Sequence, residues 1–165
     1  MALAIPASAQ KLTGKVHCAK GDPSYSIDVG DKPGHMLASR KAACTWAEGT
    51  IGDSAVKTGV DVGTTEINGA TAHDNGYHTA TLDNGDKFTV KFSGAMTLNK
   101  DGAGTFEGKW TIVSGTGKLK GIKGSGTYTG IGNADGSGDV TVDGEYTLAA
   151  AKAPAKAPAA PAKKK

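Results

Sequence analysis

Residues 87–99 read KFTVKFSGAMTLN. Phe88, Val90, Phe92, Met96 and Leu98 fall on one parity with Gly94 in step between them, while Lys87, Thr89, Lys91, Ser93 and Thr97 fall on the other. A strand points successive side chains to opposite faces, so this stretch has one apolar and one polar face. A helix would need its apolar residues at a period near 3.6, and no window of the chain sustains one. One dry face and one wet face per strand is the mark of an antiparallel sheet packed on a single side.

The same alternation recurs on the C-terminal side. Phe106, Trp110 and Ile112 alternate with Thr105, Glu107, Lys109 and Thr111; Val140, Val142, Tyr146 and Leu148 alternate with Thr141, Asp143, Glu145 and Thr147. Turn residues separate the runs. Asn84-Gly85 is a two-residue hairpin signal, because both positions tolerate positive φ, and Asn75-Gly76 is a second candidate. Glycine-rich turns follow at Lys100–Gly104 and Asn133–Gly138. The pattern predicts strands over 13–20, 37–47, 56–63, 65–73, 77–83, 87–98, 105–113, 125–131 and 138–148. Eight or nine short strands with regular turns predict an all-β fold, a closed antiparallel barrel or a sandwich.

Residues 115–130, GTGKLKGIKGSGTYTG, raise the question of a phosphate loop. A Walker loop needs Gly, four residues, then Gly-Lys and Ser or Thr; here Ile112 stands where the first Gly belongs and Leu119 where the hydroxyl belongs. The dinucleotide fingerprint also fails, since Lys120 takes the place of its third Gly. The stretch reads instead as architecture. Leu119 and Ile122 plug one barrel end from a short helical turn, and Gly124, Gly126 and Gly130 let the next strand coil sharply.

Three pieces, Gly108-Lys109-Trp110-Thr111-Ile112, Gly115–Gly130 and Gly144–Leu148, together resemble the C-terminal third of allene oxide cyclase-like barrels, among them small exported bacterial proteins of unassigned function. The resemblance implies an eight-stranded barrel in the company of dirigent-like and lipocalin-like folds. It also implies a cyclase or isomerase that templates its substrate's conformation as one class of function. The N-terminal half carries no match to the plant cyclases' cavity residues, so no catalytic role transfers.

Composition sets further bounds. The chain has 165 residues, enough for one core, with 38% hydrophobic and only 5% aromatic residues and 25 glycines. No apolar run approaches the roughly 20 residues of a membrane-spanning helix. Five of the 19 basic residues sit in the tail from Ala149 onward, leaving fourteen against 16 acidic ones over residues 11–148. That near-neutral domain has no basic stripe to track a phosphate backbone, so nucleic acid is not an expected partner.

Residues 1–10, MALAIPASAQ, read as the remnant of a secretory signal or as a flexible N-terminus, Ala7-Ser8-Ala9 matching a small-x-small cleavage region. Cys18 and Cys44 are an even pair, read as a disulfide in an oxidising compartment, periplasmic or secreted in a bacterium, or as two free thiols in a cytosolic protein. In the chain-entropy account such a loop gives about 3 kcal/mol. Residues 149–165 are a disordered Ala/Pro/Lys tail, a tether to an anionic envelope surface or simply a solubilising extension.

Candidate chemistry is sparse. With Asn75-Gly76 as a turn, His73 lies opposite His78 and the two could share a metal, though a third ligand is wanting. The register from Asn84-Gly85 puts Tyr77, Thr79 and Thr81 on the face of Phe88, Val90 and Phe92, and His78 outside. Asn133, Asp135 and Asp139 copy the start of a calcium loop, but Gly144 stands where its bidentate Glu belongs, and a polar hairpin loop accounts for the same residues. His17 and Cys18 are adjacent on a strand and face opposite ways. No Ser-His-Asp set or nucleophile elbow is present, so no catalytic residue and no cofactor is expected.

Arg40, Cys44, Trp46 and Glu48 share a parity. If that face is inward, Arg40, Trp46, Tyr77, Thr79, Phe88, Phe92, Trp110 and Tyr146 line a cavity that holds a small apolar ligand, with an Arg40–Glu48 pair inside; the other reading is a packed interior with Arg40 and Glu48 at the rim. The functional expectation is an exported, non-catalytic ligand-binding or structural envelope module. A cyclase or isomerase acting on a small hydrophobic substrate and a tail-tethered interaction protein are the alternatives.

Overall fold

The structure, a computed structural model, describes residues 8–149; most of the expected signal remnant and nearly all of the expected disordered tail lie outside them. Ten strands follow one another: β1 (Gln10–Cys18), β2 (Ser24–Asp28), β3 (His35–Glu48), β4 (Thr50–Ile51), β5 (Ser54–Asn68), β6 (Thr71–Leu82), β7 (Lys87–Leu98), β8 (Gly104–Gly115), β9 (Lys123–Gly132) and β10 (Gly138–Thr147). All pairings are antiparallel. The sheet runs β3-β1-β10-β9-β8-β7-β6-β5, and β5 pairs back onto β3, which closes an eight-stranded barrel. Closure leaves those eight strands no open edge. The short β2 stays outside as a flap on β3, beyond the point where β1 leaves it.

The apolar parity of residues 88–98 faces inward, as do Trp110, Ile112, Val140 and Tyr146. Phe88 is 1% exposed, and burying such a side chain contributes about 1.5–3 kcal/mol. One barrel end is closed by Ile51, Leu82, Leu119, Ile122 and Tyr146, with Leu119 on a single 3₁₀ turn over Gly117–Leu119. The Tyr146 hydroxyl donates to Gln10 Oε1 at 2.8 Å and accepts the Gly52 N–H at 2.7 Å, which ties β1 and the β4–β5 turn to that plug. On β9 the inward row is Gly124, Gly126, Tyr128, Gly130 and Gly132, so Tyr128 alone projects a side chain. A Cβ on Gly126 or Gly130 would run into the Trp110 or Phe106 ring, and the glycines are therefore spaces for aromatic neighbours.

Several expected segments move. The predicted strands 65–73 and 77–83 fail because Asn75-Gly76 is no turn: β6 runs unbroken through both residues, and the reversal lies at Gly69, whose φ is 63°. The Asn84-Gly85 hairpin is real, but its loop is one residue longer than a two-residue turn. Ala80 pairs with Phe88 and Thr81 with Lys87, the Leu82 N–H bonds Asp86, and only Gly85 has positive φ. A type I′ turn would need positive φ at Asn84 as well. The extra residue reverses the facing of all of β6.

Candidate functional site

A cavity of about 240 Å³ occupies the barrel between the plug and the opposite end, where the loops after β1, β7 and β9 form its rim. Its wall is largely apolar, with Val16, Phe88, Val90, Phe92, Phe106, Trp110 and Val142 among the lining residues. Asn133 and Ser137 line its rim, and five titratable side chains reach it from the strands: Arg40 from β3, Asp61 from β5, Asp74 and His78 from β6, and Tyr128 from β9.

They form two groups. Trp46 Nε1–H donates to His78 Nε2 at 3.0 Å, so His78 carries its proton on Nδ1 and donates it to Asp61 Oδ1 at 2.5 Å. His78 and Asp61 are largely buried, their side chains 10% and 14% exposed. An Asp–His dyad acts as a base through the free imidazole nitrogen, and here Trp46 caps that nitrogen. The relay is a positioning device in this conformation.

The second group is Asp74 and Tyr128, with the phenol 3.4 Å from both carboxylate oxygens. Burial pushes the Asp74 carboxyl above the usual range, while the Arg40 charge and the Tyr128 hydrogen bond pull it down without cancelling the effect. Burial, reinforced by the Asp74 charge, raises the Tyr128 phenol as well. Arg40 makes no ion pair within 4.0 Å among the described residues. A carboxyl whose ionisation burial opposes, a phenol and an unpaired guanidinium thus share one apolar chamber.

Of the residues singled out from sequence, Arg40, Trp46, Phe88, Phe92 and Trp110 line the cavity. Tyr146 is buried in the plug instead. Tyr77 stands on the outer face, 49% exposed, and Thr79 faces outward to hydrogen-bond Thr89 across the strands at 3.1 Å, both because of the longer hairpin loop. Glu48 is also outside, paired with Lys15 at 2.9 Å. The register skips Ala47 between Lys15↔Glu48 and Val16↔Trp46, and that bulge turns the carboxylate outward, so Arg40 has no partner in Glu48.

His73 and His78 share one strand and opposite faces, about 16 Å apart at strand rise. The structure does not bring them together. In the β9–β10 loop, Asp135 accepts from the Ser137 N–H and hydroxyl, Asn133 donates to Ser137, and Asp139 holds His17 Nδ1 at 2.8 Å. Asp135 is thus engaged by Ser137 within the loop and Asp139 by His17 of β1. Cys18 and Cys44 form the disulfide, directly paired across β1 and β3 with Cα atoms 4.0 Å apart.

Sequence reasoning missed Asp61, Asp74 and Tyr128 as cavity groups and put His78 outside. One signal for β6 was present: read without a turn, Ala72, Asp74, Gly76, His78, Ala80 and Leu82 share a parity.

No protein-family profile matches the chain, and no curated protein matches it in sequence. Among solved structures it is similar to the pterocarpan synthase dirigent proteins GePTS1 and PsPTS1, each at 15% identity and a TM-score of 0.51. The match covers 86% of this chain in both cases, and 89% and 96% of the two neighbours. At that identity the likeness shows the fold: a closed, dirigent-type eight-stranded barrel.

Proposed function

We propose that this barrel binds a small, mostly apolar molecule and orients it against Arg40, Asp74 and Tyr128. The observation that carries the reading is a chamber with an apolar wall and three converging polar side chains. Its 240 Å³ lies below the roughly 300–1,000 Å³ of drug-sized pockets, which favours an occupant of one or two rings or a short chain. The disulfide supports an oxidising compartment, periplasmic or secreted.

A second reading, a cyclase or isomerase, rests on Asp74. A carboxyl whose hold on its proton is strengthened by burial, beside a phenol, can protonate a bound substrate and leave a stabilised charge behind. Both structural neighbours are named as synthases, and that name bears on this chain through the fold alone.

Native mass spectrometry of protein from its own host, compared with the denatured mass, tests the binding reading, together with titration of an apolar fluorophore. The expected result is saturable binding at one site per chain, lost when Val140→Phe fills the chamber. A bare mass with no saturable uptake by the wild type would exclude it.

A further inference from the structure

Barrel closure sets β1, β3 and β5 side by side, and each sends one metal-ligating side chain inward: Cys18 opposite Cys44, and Asp61 opposite Ala42, one inward position further along β3. The two sulfurs and a carboxylate oxygen all lie within 4.8 Å of one another, with Asp61 Oδ2 3.9 Å from Cys18 Sγ. A disulfide is uncharged and offers a carboxylate nothing. Asp61 is nevertheless held against it from behind, by His78 at 2.5 Å, which Trp46 orients in turn.

We propose that this cluster is a redox-gated zinc site. A dithiol reductant supplies two electrons and two protons to the Cys18–Cys44 bond and leaves as its own disulfide. Zn²⁺ then displaces one proton from each thiol and takes both thiolates and the Asp61 carboxylate.

The geometry suits the ion. Zinc bonds thiolate sulfur at about 2.3 Å and carboxylate oxygen at about 2.0–2.2 Å, so tetrahedral edges fall near 3.5–3.8 Å. The ligand atoms reach that spacing by movements of about an ångström, which side-chain rotation supplies once the S–S bond is gone. Two thiolates and a carboxylate leave one net negative charge around Zn²⁺, and Arg40 in the same chamber offsets it. His78 and Trp46 act as the outer hydrogen bonds that fix a ligating carboxylate. Cys18 and Asp61 line the cavity, so the fourth coordination position opens into it. Three protein ligands with one open position is the arrangement of reactive rather than purely structural zinc sites. The inference stands independently of whether the chamber binds an apolar molecule.

The test uses the full chain, reduced anaerobically with a phosphine, desalted and titrated with Zn²⁺. Native mass spectrometry counts metal, a pH indicator counts protons, and Cd²⁺ substitution reports thiolate bonds by charge-transfer absorption. The expected result is one zinc and two protons per reduced chain and no uptake by the oxidised chain. Cys18→Ser abolishes binding, and His78→Gln and Asp61→Asn each weaken it at least about tenfold. Near-UV circular dichroism of the oxidised variants checks their folding, and His78→Gln carries the test if Asp61→Asn does not fold. Uptake by reduced protein no better than by oxidised protein overturns the proposal. So does unchanged affinity in the folded variants.

Discussion

The indole N–H of Trp46 on β3 points at Nε2 of His78 on β6, 3.0 Å away across the barrel interior. The contact joins strands that are not neighbours in the sheet, and it selects one tautomer of the imidazole. Trp46→Phe keeps an aromatic ring but leaves a buried nitrogen lone pair without a donor, at about 1–3 kcal/mol. Urea unfolding of Trp46→Phe, His78→Gln and the double variant should give a coupling of about 0.5–3 kcal/mol. Additive effects would show that the two side chains merely touch.

The β2–β3 hairpin is pinned to the barrel by a histidine whose two nitrogens both face carboxylates. His35 Nδ1 meets Asp31 Oδ1 at 2.7 Å and Nε2 meets Glu66 Oε1 at 3.0 Å. A neutral imidazole has one N–H, so only the imidazolium serves both. Glu66 first and Asp31 next hold His35 above its ordinary value of 6.5, and the His35 hydrogen bond holds Asp31 below its ordinary 3.8. The His35 contribution is complete below 6.5 and disappears as pH rises through the raised value. The Asp31 contribution is present above 3.8 and fades as pH falls through the lowered one. Amide exchange in residues 29–34 should therefore show protection at mildly acidic pH that is lost toward alkaline pH, and His35→Gln should flatten that profile. An identical profile in the variant would sink the latch.

Two inward strand glycines should respond oppositely to the same change. A Cβ on Gly94 would overlap the Tyr128 hydroxyl, the Glu107 carbonyl and Asp74 Oδ1, while one on Gly132 would meet nothing closer than 3.9 Å. Gly94→Ala should destabilise by about 1–3 kcal/mol and shift Tyr128 absorption. Gly132→Ala should be neutral or stabilise by about 0.4–1 kcal/mol through the unfolded chain. Equal effects in denaturant unfolding would mean that the Asp74–Tyr128 niche is not tight.

These side chains show where sequence reading succeeds and where it stops. Alternation alone put Phe88, Phe92 and Trp110 inside, because burial imposes a period of two on any half-wet strand, and the i, i+3 spacing of Leu119 and Ile122 on a short turn put that pair in the plug. Parity carries across a turn only if the number of residues in that turn is known. One extra residue in the 83–85 loop exchanged Tyr77 for His78, and the register skip at Ala47 turned Glu48 outward. Asn75-Gly76 has the composition of a turn, but Gly76 sits in the sheet because the Phe92 ring and the Val62 carbonyl leave no room for a Cβ. Bulges and ring-to-backbone contacts depend on the partner strand, which local sequence does not contain.

Asp74 separates stability from function most sharply. Its carboxyl is raised above 3.8 chiefly by burial, so the unfolded chain gives up that proton at lower pH than the folded one. Folded stability therefore falls as pH rises from about 3.8 through the raised value, the reverse of a salt-bridged aspartate. Asp74→Asn removes the charge that burial opposes and keeps a partner for Tyr128. It should match or exceed the wild type in urea unfolding at neutral pH and show a smaller decline between acid and neutral pH. If Asp74 works on a bound molecule, the same variant loses ligand orientation or turnover while its fold improves. Loss of stability at neutral pH in Asp74→Asn would mean instead that the carboxylate is ionised and held by Arg40, and the acid-catalysis reading would go with it.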